Sequence, residues 1–192
     1  AVTAKLVDAE TDYVVFKLAP GIYVGSIVRD KQTQNQAFEI RGSGYNNCFI
    51  QGSTSWDATV GNVLYFRDFF GVTIQDVSIA YGAYGIYARD CIAVILRNCQ
   101  FFFLGSSGVN HEFTRTQAQM AADWATQGAA GSERNDGGAM RLRNIQLVRI
   151  DGCSVFSTLR GYRIQDCGRG QITNCRAYQT LVSAYYLAAG DY

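Results

Sequence analysis

Four dipeptides carry the polar groups that could do chemistry: Arg67-Asp68, Arg89-Asp90, Arg143-Asn144 and Gln165-Asp166. Glycosidic bond hydrolysis calls for two carboxyl groups roughly 5–9.5 Å apart, and a row of Asp68, Asp90, Asn144 and Asp166 on successive coils, neighbouring coils being about 4.8 Å apart, permits that spacing. Asp also satisfies backbone amides at turns, and a turn role is the plainer explanation of these residues. The first two dipeptides stand 22 residues apart, and so do the last two. They are equivalent points of an internal repeat, and what they can do depends on the elements that repeat.

The match extends well beyond the dipeptides. Leu64-Tyr65-Phe66-Arg67-Asp68, Ile86-Tyr87-Ala88-Arg89-Asp90, Leu142-Arg143-Asn144 and Ile164-Gln165-Asp166 superpose, as do Ile74, Leu96, Ile150 and Ile172. In the unit beginning at Asn62, alternation buries Leu64 and Phe66 and turns Tyr65 and Arg67 outward. A turn over 68–71 leads to a second strand, 72–75, with Val72 and Ile74 inward. A corner at Asp76 leads to a third, 77–80, with Val77 and Ile79 inward. That corner reads Asp76, Asn98, Gly152 and Asn174 in successive units, residue types that tolerate a left-handed backbone. Three short strands per unit of about 22 residues define one coil of a single-stranded parallel β-helix, an all-β fold, with roughly seven coils over residues 1–192.

Composition narrows the function. The chain has 192 residues, 48% hydrophobic, with formal charge +1, so neither nucleic acid nor an anionic membrane is an expected partner. Among the 17 basic residues 14 are Arg, the residue that clamps carboxylates in bidentate fashion and stacks on aromatic rings. Cross-coil Arg–Asp pairing would also account for them. Cys99, Cys153 and Cys175 share one inward position with Val77, and Cys91 and Cys167 share another, so buried free thiols are expected rather than disulfides. No Cys/His metal spacing occurs, and no cofactor or metal is expected from motif. Reduced thiols and the lack of a visible secretion signal fit folding in a reducing cytoplasm.

From Cys99 to Cys153 the spacing is 54, one repeat plus a 32-residue insertion at about 106–137. Residues 114–127 are rich in helix formers, which predicts a partly helical insertion. His111, Glu112 and Trp124 lie within it. Helix 114–127 either contributes to function or covers an apolar patch, with Met120 and Trp124 as its buried stripe.

The runs Val14–Tyr23, Phe38–Gly44 and Cys48–Gly52, with the turn Leu18-Ala19-Pro20-Gly21-Ile22-Tyr23 and the corner Gly42-Ser43-Gly44, resemble the pectate-lyase-like right-handed parallel β-helices, phage tailspike and tail-fibre proteins among them. The resemblance implies a glycan lying across the outward face of the first strand, here Tyr65, Arg67, Tyr87, Arg89, Arg141, Arg143 and Arg163, with Trp124 as a lid. It implies a virion tail module, folded in the host cytoplasm, that binds acidic bacterial surface polysaccharide. It also implies a homotrimer, for which Phe102, Phe103, Phe156 and Tyr178 are the apolar outward candidates. The enzymatic alternative, a secreted or tail-borne polysaccharide lyase or hydrolase, would use Arg143 or Arg89 as base, with Asp68 and Asp90 as carboxyl groups or calcium ligands. Asn110-His111-Glu112 resembles the His-Glu element of alginate epimerases without its Asp-Pro. A structural spacer is the third alternative.

Overall fold

The computed structural model describes residues 13–30, 36–52, 62–105, 137–158, 160–180 and 183–188. Three parallel sheets of six strands each wrap one core. The first holds β1 (Tyr13–Lys17), β4 (Ala37–Arg41), β7 (Gly71–Gln75), β10 (Ala93–Arg97), β13 (Leu147–Asp151) and β16 (Arg169–Thr173). The second holds β2 (Gly21–Val24), β5 (Cys48–Gln51), β8 (Ser78–Gly82), β11 (Gln100–Leu104), β14 (Ser154–Phe156) and β17 (Arg176–Tyr178). The third holds β3 (Ile27–Asp30), β6 (Leu64–Arg67), β9 (Tyr84–Arg89), β12 (Gly138–Arg143), β15 (Arg160–Gln165) and β18 (Ser183–Ala188). Every strand thus pairs with the strand three along the chain, which is a coil of three strands stacked on the next. Six coils are described, fewer than the roughly seven expected from the repeat, because the early coils are longer: Ala37 pairs with Gly71, 34 residues on.

In-register stacking puts like residues over like. Val72, Val94 and Val148 form one column, and Ile40, Ile74, Leu96 and Ile150 another, all at 1% exposure or less. Phe16, Phe38, Phe66 and Phe69 form an aromatic pile at the N-terminal end, with centroid separations of 5.1 Å for Phe16–Phe38 and Phe38–Phe66.

The chain bends three times per coil, and in the last four described coils each bend uses one residue with positive φ. The first corner is Asp68, Asp90, Asn144 and Asp166 (φ 52–59°), and the second is Asp76, Asn98, Gly152 and Asn174 (φ 50–63°). The third is Tyr81, Phe103, Ser157 and Gln179 (φ 48–58°). Asp, Asn and Gly reach this conformation cheaply, whereas Tyr and Phe meet a penalty of about 1–2 kcal/mol. At the second corner Asn98 Nδ2 donates to Asp76 Oδ1 at 3.2 Å, and Asn174 Nδ2 to Asp151 Oδ1 at 3.0 Å. The residue after each of the first two corners turns inward, and there the cysteines sit. All six are free thiols. Five donate to the carbonyl two residues back, as Cys99 Sγ does to Arg97 O at 3.2 Å and Cys175 Sγ to Thr173 O at 3.1 Å. A thiol therefore fits both the small inward space and the carbonyl left at the bend.

The N-terminal coils carry a pH-sensitive contact. Glu39, 4% exposed, accepts from the Tyr13 hydroxyl and from Arg41 Nη2 at 2.6 Å. The Tyr13 hydroxyl, and then Arg41, hold its carboxyl below the usual range against the opposing effect of burial. A depressed folded-state value gives stability that is present above the unfolded value, about 4.3, and is lost as pH falls through the folded one. Amide-exchange protection across β1 and β4 is expected to drop between pH 5 and the acid limit. In Glu39→Gln this pH dependence should disappear; its survival would place the effect elsewhere.

Candidate functional site

The outward face of the third sheet is built from two columns set by strand register. Val28, Tyr65, Tyr87, Arg141, Arg163 and Tyr186 form one; Arg67, Arg89, Arg143, Gln165 and Ala188 form the other. All seven outward Tyr and Arg residues read from the repeat therefore meet on one surface, because alternate residues of in-register parallel strands share a side. The Tyr65 and Tyr87 rings meet edge to face at 5.4 Å. The Arg141 guanidinium lies 5.1 Å from the Tyr87 centroid, and that of Arg163 lies 5.4 Å from Tyr186. Guanidinium over a tyrosine face is favourable, by about 0.5–2 kcal/mol depending on desolvation. It also fixes a long side chain that would otherwise lose rotamer entropy on meeting a ligand. Arg141 is only 5% exposed, despite its outward position.

Beside these columns runs the first corner. A cleft of about 370 Å³ is lined by Arg89, Asp90, Arg143, Asn144 and Asp166. Within it Asn144 Nδ2 donates to Asp90 Oδ1 at 2.8 Å, while Asp90 Oδ2 faces Arg89 Nε at 3.7 Å and Arg67 Nε at 3.9 Å. Arg67 Nε is nearer to Asp68, at 3.2 Å, and Arg143 Nε faces Asp166 Oδ2 at 3.6 Å. The backbone amides of these corner residues donate to the next coil, Asp90 N to Arg143 O and Asn144 N to Gln165 O, both at 3.1 Å. Asp68 and Asp90 turn the chain, and Asp90 also lines the cleft. Among the described residues no group of three or more His, Cys, Asp or Glu is arranged to hold a metal ion. Trp124, His111, Glu112 and the 114–127 segment lie outside the described residues.

Asn144 and Asp166 enter the site as members of the repeated dipeptides named from the sequence. Tyr84 was not among the sequence candidates, because a period of two from Ile86 and Ala88 places it in the core. Gly85 interrupts that count: a Cβ there would come within 2.8 Å of Leu104 and 2.9 Å of Phe101, so Gly85 takes the core side. Tyr84 falls beside Tyr87, their centroids 5.9 Å apart. The second sheet carries the aromatic outward residues expected there. Phe156 stacks on Tyr178 at 5.2 Å and Tyr81 on Phe103 at 5.8 Å, with Phe102 edge-on to Phe103 at 5.7 Å.

Coils of three parallel strands, corner ladders and a side-chain-filled interior define a parallel β-helix. The family model described as a right-handed β-helix region matches residues 62–191, and the chain belongs to that family. Searches of curated proteins and of solved structures return no match.

Proposed function

We propose that this β-helix is a glycan-binding module, of the tail-fibre or tailspike kind, that holds acidic bacterial surface polysaccharide along the outward face of its third sheet. The observation that carries the reading is the pairing of the Arg141 and Arg163 guanidiniums with the Tyr87 and Tyr186 rings, beside an open cleft lined by Arg89 and Arg143. Guanidinium groups take carboxylates in bidentate fashion. Tyrosine adds a flat apolar face with a polar tip, which suits a sugar ring. The viral setting rests on the sequence resemblance alone.

Depolymerisation is the second reading, favoured by one feature. Asp90 and Asp166 share the cleft two coils apart, about 9.6 Å along the axis, beside the roughly 6.5–9.5 Å of an inverting carboxylate pair. Such a pair needs one member placed to give a proton to the leaving group, and here each carboxylate already faces side chains of this chain, Arg67, Arg89 and Asn144 for Asp90 and Arg143 for Asp166. Binding is therefore the better supported function. Incubation with an acidic capsular polysaccharide separates the two. The binding module retains the polymer at its original length, whereas new reducing ends or an unsaturated product absorbing in the ultraviolet would establish the enzyme instead.

A further inference from the structure

On the same face, one pair of side chains has a chemistry that the protein itself leaves incomplete. Tyr84 is 4% exposed, and the hydroxyls of Tyr84 and Tyr87 are buried and find no acceptor among the described residues. A buried hydroxyl that cannot donate carries a desolvation cost that most sites avoid. The cations acting on Tyr84 are the guanidiniums of Arg141, which also donates toward its hydroxyl, and Arg163. A guanidinium offers donors and no acceptor, so it gives the tyrosine proton nowhere to go. Burial pushes the Tyr84 hydroxyl up to about 12, opposed by Arg141 and then Arg163, so it remains a neutral donor at ordinary pH.

We propose that Tyr84, Tyr87, Arg141 and Arg163 form a preorganised pocket for one oxyanion, the carboxylate of an acidic sugar. The inference rests on the glycan reading and deepens it by naming the group recognised and the residues that recognise it. The carboxylate supplies the acceptor that the two hydroxyls lack, and the guanidiniums supply its counter-charge. Tyr87 and Arg141 lie two residues before Arg89 and Arg143 on the same strands, about 6.6 Å away, so the pocket adjoins the cleft and one sugar residue can reach both.

The probe is sodium glucuronate, with glucose and sodium sulfate as controls, read by tyrosine difference absorption and calorimetry on the full chain. Wild type is expected to bind glucuronate and to ignore glucose. Tyr84→Phe keeps the ring and removes the hydroxyl, which should weaken glucuronate about tenfold or more, as expected for a lost hydrogen bond to a charged group. Its melting temperature should stay level or rise, since an unpaired buried hydroxyl has been removed. Tyr87→Phe should behave in the same way. Unchanged glucuronate affinity in both variants, or a lower melting temperature in Tyr84→Phe, overturns the pocket, and a preference for sulfate overturns the carboxylate. Should polymer binding respond to loss of Arg89 and Arg143 but not of the Tyr84 hydroxyl, the glycan reading stands and this pocket falls. Should Tyr84→Phe abolish glucuronate binding while no polymer is retained, the pocket stands alone.

Discussion

Replacing Arg89 and Arg143 together by alanine is expected to lower affinity for an acidic polysaccharide by roughly a hundredfold while leaving the fold intact. Each guanidinium would contribute a charge-assisted hydrogen bond of about 1.5–3 kcal/mol to a bound carboxylate, and tenfold in affinity is about 1.4 kcal/mol. The two are ladder neighbours on β9 and β12, so their losses will not simply add. Stability should change little. The ion pairs lost include Arg89 with Asp90 at 3.7 Å and Arg143 with Asp166 at 3.6 Å, whose arginine side chains are 30% and 44% exposed, and pairs of that kind contribute about 0–1 kcal/mol. Removing two like charges from adjacent positions offsets part of even that. Wild-type binding should weaken as salt rises, because partly exposed charges are screened. A glycan array shows the outcome directly. Equal binding by wild type and the double variant would remove the third sheet from any account of recognition.

Phe66→Ala should destabilise the protein by about 3–5 kcal/mol, the cost of deleting a buried aromatic ring and leaving its cavity. Phe66 is fully buried, 5.1 Å from Phe38 and 5.8 Å from Phe69 between ring centroids. Collapse into the void is resisted because hydrogen-bonded ladders on three sides set the outline of the coil. Tyr65→Ala, one residue away and outward, serves as the contrast and should cost no more than about 1 kcal/mol. The comparison is read from urea midpoints at unchanged slope. A Phe66→Ala effect no larger than that of Tyr65→Ala would mean that the interior relaxes freely.

The first two corners were legible because Asp and Asn recur there at 22-residue spacing. Asp76, Asn98 and Asn174 announce a left-handed residue by type. The third corner was not legible. Tyr81, Phe103, Ser157 and Gln179 have no common chemistry, and two of them disfavour the conformation they adopt. Closure of the coil imposes it: the chain must bend between the second and third sheets, and stacking of the Tyr81 and Phe103 rings, 5.8 Å apart and 6° from parallel, helps to offset the strain.

The same division runs through the candidate site. A period of 22 and an alternation of two were enough to place Tyr65, Arg67, Tyr87, Arg89, Arg141, Arg143 and Arg163 on one face, since register in a parallel stack follows from repeat length alone. Periodicity is blind to a residue that breaks it, and Tyr84 is such a residue. Its place beside Tyr87 depends on how closely Gly85 approaches Leu104 and Phe101, a contact between coils that a linear pattern does not encode. The amino-acid order by itself determined the architecture and the face. Three-dimensional packing decided which side chains on that face are buried, which guanidinium stacks on which ring, and which hydroxyls are left without an acceptor, because those outcomes depend on distances between coils rather than on spacing along the chain.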